Sequence, residues 1–440
     1  MEAMTTIRPA SPARFGAYLY TQFCSAFNDN VHFFAISLFF TYTVSRTPEE
    51  AGRWQAIAGA AFVLPFILFS PLAGALADRY EKRTVLIWAK WSEVLPMAVS
   101  FTSTLLQPPF QYYGLVLGIF LMETRSAFFS PPKYGILPEV VVPDRLVRAN
   151  GILQMLTMVA IVSGEAIAGT LLHRAGMRAT IGCCLALAAV GSLLATWIPE
   201  GAPGDRTRPL QLNPLGKIWG TLRDLKTDRT LFLTAFTLSC FWMVSAIFRS
   251  NIPLFGKGVL GIDESLSSRL MAFVSVGIGL GAALASLIKD PTKSMGIVLP
   301  GVLGMGLMSI LVGLAGRTFL ASGLLLALLG LFGGLYLVPQ TTIFQVRSPA
   351  DRRGAYLAVQ NFLNYLFMLA AALIFHLLTN GVRLGDHHVL APLGPTQIFV
   401  AVGVGLLLLG AAQAAAMVDL VVGSLLALLG RRGQPNGGTP

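Results

Sequence analysis

The sequence predicts an all-α membrane protein of twelve transmembrane helices arranged as two pseudo-symmetric six-helix bundles. Three observations carry that prediction. The 440 residues are 54% hydrophobic and only 12% charged, with a mean hydropathy of +0.68, whereas an ordinary soluble domain is about 25% charged. Apolar runs recur along the chain, each long enough to cross a hydrocarbon core about 30 Å thick. A polar, basic stretch divides those runs six and six. Spanning segments must satisfy their own backbone polar groups, which leaves helices or a closed barrel. Barrel strands of about ten residues with alternating polarity are not found.

In order, the spans are read at 15–43, 52–77, 84–106, 110–131, 150–172 and 178–198, then 230–255, 266–288, 295–315, 318–345, 354–379 and 395–428. The expected organisation is an N-terminal bundle over 1–198, a cytoplasmic linker over 199–229 and a C-terminal bundle with a short tail over 230–440. Within the linker, Leu215, Ile218, Trp219, Leu222 and Leu225 recur at helical spacing. They predict an amphipathic helix lying on the membrane surface. Residues Met1 to Arg14 are short and polar, and predict no cleavable signal.

Lysine and arginine orient the spans. With the N-terminus inside, 21 of the 32 basic residues fall in inner segments, 8 in outer segments, and Lys90, Arg125 and Arg249 within spans. Both termini are therefore expected in the cytoplasm. The net charge of +11 reads as an orientation signal, not a nucleic-acid patch. Cys24, Cys183, Cys184 and Cys240 all lie in apolar runs with no metal-type spacing, so neither metal nor cofactor is expected.

Span 1 carries an anomaly. Ser25-Ala26-Phe27-Asn28-Asp29-Asn30 places a carboxylate and two amides among hydrocarbon. A charge near the centre of a membrane helix costs about 2.5–3.5 kcal/mol even on lenient insertion scales. Asp29 is thus expected to face a partner or a wet cavity. Its candidate partner comes from a weak internal repeat. Pro132, Ile136, Asp144 and Arg145 match Pro339, Ile343, Asp351 and Arg352 at one offset; Ser25, Ala26 and Asp29 face Ser245, Ala246 and Arg249 at another. Asp29 and Arg249 would then occupy pseudo-symmetric positions and could pair across a central cavity.

After span 2, Gly74-Ala75-Leu76-Ala77-Asp78-Arg79-Tyr80-Glu81-Lys82-Arg83 resembles the helix 2–3 loop motif of the major facilitator superfamily. It is read as a gate, with Gly74 allowing close helix approach and Asp78, Arg79 and Arg83 supplying charge. A charged topology anchor is the plainer alternative. Phe128-Phe129-Ser130-Pro131-Pro132-Lys133-Tyr134-Gly135-Ile136-Leu137-Pro138-Glu139 and Ala149-Asn150-Gly151, taken with the span 1 motif, are similar to the lysophospholipid transporter family of that superfamily. The resemblance rests mainly on the first half. Glu123, Arg125 and the loop with His387 and His388 depart from it. No histidine is followed five residues later by aspartate, as acyltransferase chemistry would want.

The resemblance implies flipping of lysophospholipids, such as lysophosphatidylethanolamine, from the outer to the inner leaflet of a bacterial cytoplasmic membrane by alternating access. It implies a monomer with a functional link to a cytoplasmic acyltransferase. It also assigns the head group to Asp29, Lys133 and Arg249. Asp29 would meet an ammonium, and Arg249 and Lys133 a phosphate. Asn28, Asn30, Asn251, Gln340, Asn361 and Asn364 are candidate neutral donors. Each has a structural alternative. Asp29 and Arg249 would serve equally as a lock between helices, and Lys133 as an interfacial anchor. Lys90 and Glu93, at i and i+3, would satisfy each other. Glu123 and Arg125 form a possible charge network, and Glu165 a possible proton site. Gly330, Gly333 and Gly334 read as close packing. The rival functions are a proton-coupled drug or small-solute antiporter and, more remotely, a membrane-embedded lipid enzyme.

Overall fold

The computed structural model describes residues 11–201, 214–288, 295–349, 352–384 and 387–416. Helices dominate, and they fall where the spans are expected. The first half contains α1 (Pro12–Phe39, continued by a π-helical turn Phe40–Val44), α2 (Pro48–Arg79), α3 (Lys82–Ser92), α4 (Val94–Ser103), α5 (Phe110–Gly135), α6 (Leu137–Val140) and α7 (Pro143–Ala195). Then come α8 (Pro214–Leu225), α9 (Arg229–Phe255, extended by a π-helical turn Gly256–Leu260), α10 (Glu264–Ser286), α11 (Val298–Ala315), α12 (Phe319–Arg347), α13 (Arg353–Asn380) and α14 (Pro395–Ala416). Among the described residues, eight helices are long and apolar enough to cross a membrane. One of them, α7, holds two spans, because Gly176 turns the chain at φ +74°, a backbone conformation that side chains with a Cβ rarely adopt. The protein is a multi-pass helical membrane protein.

Local chemistry sets the helix starts. Ser11, Thr47, Asp228 and Thr318 each accept a hydrogen bond from the backbone N–H three residues on, as N-caps do. Pro12 and Pro48 occupy the first turn, where a missing N–H costs nothing.

Two expectations need correction. Span 3 is two helices, because the ladder is interrupted at Glu93. Pro96, three residues later, has no N–H to return to the Ser92 carbonyl. Span 4 runs past its expected end to Gly135, with Pro131 and Pro132 inside the helix. The connection after α13 carries a small antiparallel hairpin, Val382–Leu384 with His387–Leu390, in an otherwise helical chain. The side chains of His387 and His388, the segment holding Lys289 and Lys293, and residues beyond Ala416 lie outside the described residues.

The chain divides into two compact units. The first comprises Met1–Gly216 with Asp263–Arg269, and the second Lys217–Ile262 with Leu270–Pro440. In the first, α1 packs along α7, α2 along α5, and α3 and α4 against both α5 and α7. Tyr18, Leu86, Phe129, Ile136, Leu137, Leu153 and Ile198 form the core at one end. In the second, α9 packs on α13 and α12, and α11 on α12 and α14. The amphipathic α8 belongs with it. Leu225 is buried, with Ile218 and Leu222 packed beside it on Leu231, Phe344, Tyr356 and Val359, while Trp219 is 70% exposed. Arg352 holds α8 through Asp224 at 2.7 Å.

Candidate functional site

The charged residues of the first unit converge on one buried network. Asp29 comes from α1, Lys90 from the last turn of α3, Glu93 from the break before α4, and Arg125 from the middle of α5. Arg125 Nη2 donates to Asp29 Oδ1 at 2.5 Å and lies 2.9 Å from Glu93 Oε2. Lys90 Nζ donates to the same Glu93 Oε2 at 2.6 Å. Asn28 Nδ2 donates to Glu93 Oε1 at 2.8 Å, and Ser25 Oγ reaches Oε2 at 3.4 Å. On the other side, Ser126 Oγ donates to Asp29 Oδ2 at 2.9 Å, and Arg125 stacks over Phe129 with 5.7 Å to the ring centroid.

Sequence puts these groups together through helix periodicity. Ser25 and Asn28 sit one turn apart and face α3, while Asp29, one residue on, reaches α5. Lys90 passes over Gly191 of α7, where an added Cβ would sit 2.6 Å from Lys90 Cε. Charges removed from water must be paired and hydrogen-bonded to persist. Here the Lys90 and Glu93 side chains are fully buried, Arg125 is 2% exposed, and Asp29 is 20% exposed. Asp29 is therefore the member of this network that reaches the surface.

The other predicted residues have mixed placements. Glu123 and Glu165 are both buried, on α5 and α7. Asn30 turns back on its own helix and donates to the Ala26 carbonyl at 2.8 Å. Lys133 is partly buried, and its carbonyl accepts from Tyr18 Oη at 2.7 Å. In the second unit Arg249 is partly buried and Asn361 is exposed. Asn251 donates to the Pro395 carbonyl at 2.9 Å, and Gln340 to Thr237 Oγ1 at 3.0 Å. Asn364 accepts from Ser239 Oγ at 3.1 Å and from Gln360 Nε2 at 2.7 Å. Asn251, Gln340 and Asn364 thus tie helices of the second unit together.

The loop motif also ties its own unit. Arg83 Nη2 donates to the Thr196 carbonyl at 3.1 Å, capping the end of α7, and lies 3.6 Å from Glu200 through Nη1. Lys82 Nζ meets Glu139 at 2.5 Å. Arg79 is partly buried; the side chain of Asp78 lies outside the described residues. Among the described residues, an added Cβ on Gly74 meets nothing within 4 Å.

Sequence reasoning paired Lys90 with Glu93 but missed their link through Arg125 to Asp29. The available signal was compositional: Asp29 in span 1, Lys90 and Glu93 in span 3, and Arg125 in span 4 are two acids and two bases set in apolar runs of one half. Such charges are affordable only together.

Each unit is built of membrane-length helices, and the first holds a charge network buried among its own helices, which defines a polytopic membrane protein with intramembrane charge. The pattern of the Major Facilitator Superfamily matches residues 18–372. Curated relatives named "Lysophospholipid transporter LplT" include one from Photorhabdus laumondii, 29% identical over 93% of this chain and 96% of its own length. Another, from Cronobacter sakazakii, is 33% identical over 78% and 83%. A third, from Klebsiella pneumoniae, is 31% identical over 88% and 91%. The chain belongs to the lysophospholipid transporter family of the major facilitator superfamily. Among solved structures, the POT family transporter PepTSo aligns with a TM-score of 0.71 at 12% identity, covering 94% of this chain and 99% of that one. A bacterial homologue of the human lysosomal transporter Spinster aligns at 0.60 and 16%, covering 97% and 100%. At these identities they speak to fold alone.

Proposed function

We propose that the protein moves lysophospholipids, such as lysophosphatidylethanolamine, from the outer to the inner leaflet of a bacterial cytoplasmic membrane by alternating access. The relatives' shared name supports the substrate class. The observation that carries the site is Asp29, a carboxylate partly exposed at the edge of a buried charge network. An ammonium arriving there exchanges one cationic partner for another. Arg249 and Lys133 serve the phosphate, and the acyl chain keeps to apolar helix surface or lipid. Arg83, with Arg79 and Asp78, steadies the inner end of the first bundle during the cycle. The protein works as a monomer, both termini cytoplasmic, and delivers its cargo to a cytoplasmic acyltransferase.

The test is reconstitution of the purified protein into liposomes with fluorescent lysophosphatidylethanolamine, read by albumin back-extraction. Wild type should make the probe inaccessible at a protein-dependent rate, and Asp29→Asn should slow it on the order of tenfold, the loss of one charged contact. Transfer equal to empty liposomes overturns the reading. Transfer of a water-soluble drug under a pH gradient, with no lysolipid movement, replaces it with the antiporter. A new lipid product formed by the protein alone replaces it with the enzyme.

A further inference from the structure

Lys90 and Glu93 are buried too deeply for a substrate to touch, yet they are not a self-contained pair. Glu93 Oε2 accepts from Lys90 Nζ at 2.6 Å and is shared with Arg125 Nη2 at 2.9 Å. That same Nη2 donates to Asp29 Oδ1 at 2.5 Å. One guanidinium nitrogen thus serves two carboxylates on different helices. Glu123, also buried, acts electrostatically on Arg125 as well. Around the exposed edge of Asp29, Glu93 supplies a second carboxylate and Lys90 and Arg125 two cations. A brace between α3 and α4 would need only Lys90 and Glu93, whose i, i+3 spacing completes the pair without Arg125.

We propose that Lys90 and Glu93 are positioning residues that set the net charge felt at Asp29, and so bias the transporter toward ammonium-bearing zwitterionic head groups over purely anionic ones. The inference rests on the lysolipid reading above. Glu93 holds Arg125 back and keeps it partly neutralised, so an incoming ammonium finds an Asp29 carboxylate whose guanidinium partner is shared. An anionic head group finds the guanidinium already engaged. In a poorly screened interior, one added or removed unit charge a few ångströms away changes ion binding on the order of tenfold.

The experiment uses the full-length protein in liposomes. It compares transfer of labelled lysophosphatidylethanolamine with that of labelled lysophosphatidylglycerol, whose head carries no ammonium. Wild type should favour the former. Glu93→Gln should lower the ethanolamine-to-glycerol rate ratio on the order of tenfold, and Lys90→Gln should raise it. The double variant should return it near wild type. Size-exclusion profiles and thermal midpoints control for folding, and Glu93→Asp should keep the wild-type ratio. If Glu93→Gln does not fold, Lys90→Gln decides the matter by its opposite shift. A fall of both rates together, with the ratio constant across folded variants, shows a structural brace only and overturns the inference while leaving the transport reading intact. A wild type that moves neither lysolipid overturns both.

Discussion

Glu93 accepts from a lysine one turn back in α3, from an arginine of α5, and from an amide and a hydroxyl of α1. Desolvating one carboxylate costs several kcal/mol, which only such a set of donors repays. Arg125 is the member whose loss hurts most, because it alone touches both Asp29 and Glu93. Arg125→Met should lower stability by about 3–5 kcal/mol, the cost of stranding a buried charge. The readout is thermal unfolding in detergent. Adding Asp29→Asn should recover part of that loss, so the double variant is more stable than the two single effects added together; simple additivity would mean that the pair is not coupled. Asp29 was legible in the sequence as an expensive group that needs a partner. Its partner was not. The repeat offset pointed to Arg249, whereas within the first unit α5 brings Arg125 to it. A sequence shows how much each buried charge costs, but the partner is chosen by helix rotation and depth, which no local pattern encodes.

At the scale of elements, glycine shows the same division. An added Cβ on Gly330 or Gly334 of α12 would press into the carbonyl oxygen of Val274 or Ile278 of α10, and one on Gly277 of α10 into that of Ala327. The two backbones are in contact along this seam, as small residues permit between membrane helices. Gly330→Ala should therefore cost about 1–3 kcal/mol through overpacking. Gly74→Ala, which meets open space, should be neutral or up to about 1 kcal/mol stabilising, since alanine is the better helix former. Melting midpoints of the two variants check this, and equal losses would refute it. The close packing of span 10 was readable from glycine density. Gly74 was readable only as a motif position. The break at Glu93 could have been anticipated from Pro96.

At the scale of the whole molecule, the surplus of lysine and arginine in alternate segments makes a topological prediction. A cytoplasm-active reporter fused after Arg14 or at the C-terminus should be active. A periplasm-active reporter inserted after Arg46 or Arg317 should be active, and one at the C-terminus silent. The reverse pattern at either terminus would invert the orientation. The amphipathic α8 illustrates how far such reading reaches. Its apolar stripe was evident, but what the stripe covers was not: Ile218, Leu222 and Leu225 pack on α9, α12 and α13, while Trp219 stays exposed.

The sequence by itself determined that this chain lives in a membrane as a multi-pass helical protein, and which half-dozen groups are too polar to be there by accident. These follow from transfer free energy and helix length, which depend on composition and run length alone. Only the tertiary structure decided that Asp29, Lys90, Glu93 and Arg125 form one network and that Asp29 is its exposed edge. It also decided that Asn251, Gln340 and Asn364 bind helices to one another. The reason is that pairing energies between buried polar groups fall steeply with distance and angle. Distances between residues 60 to 100 positions apart are set by packing, not by order along the chain.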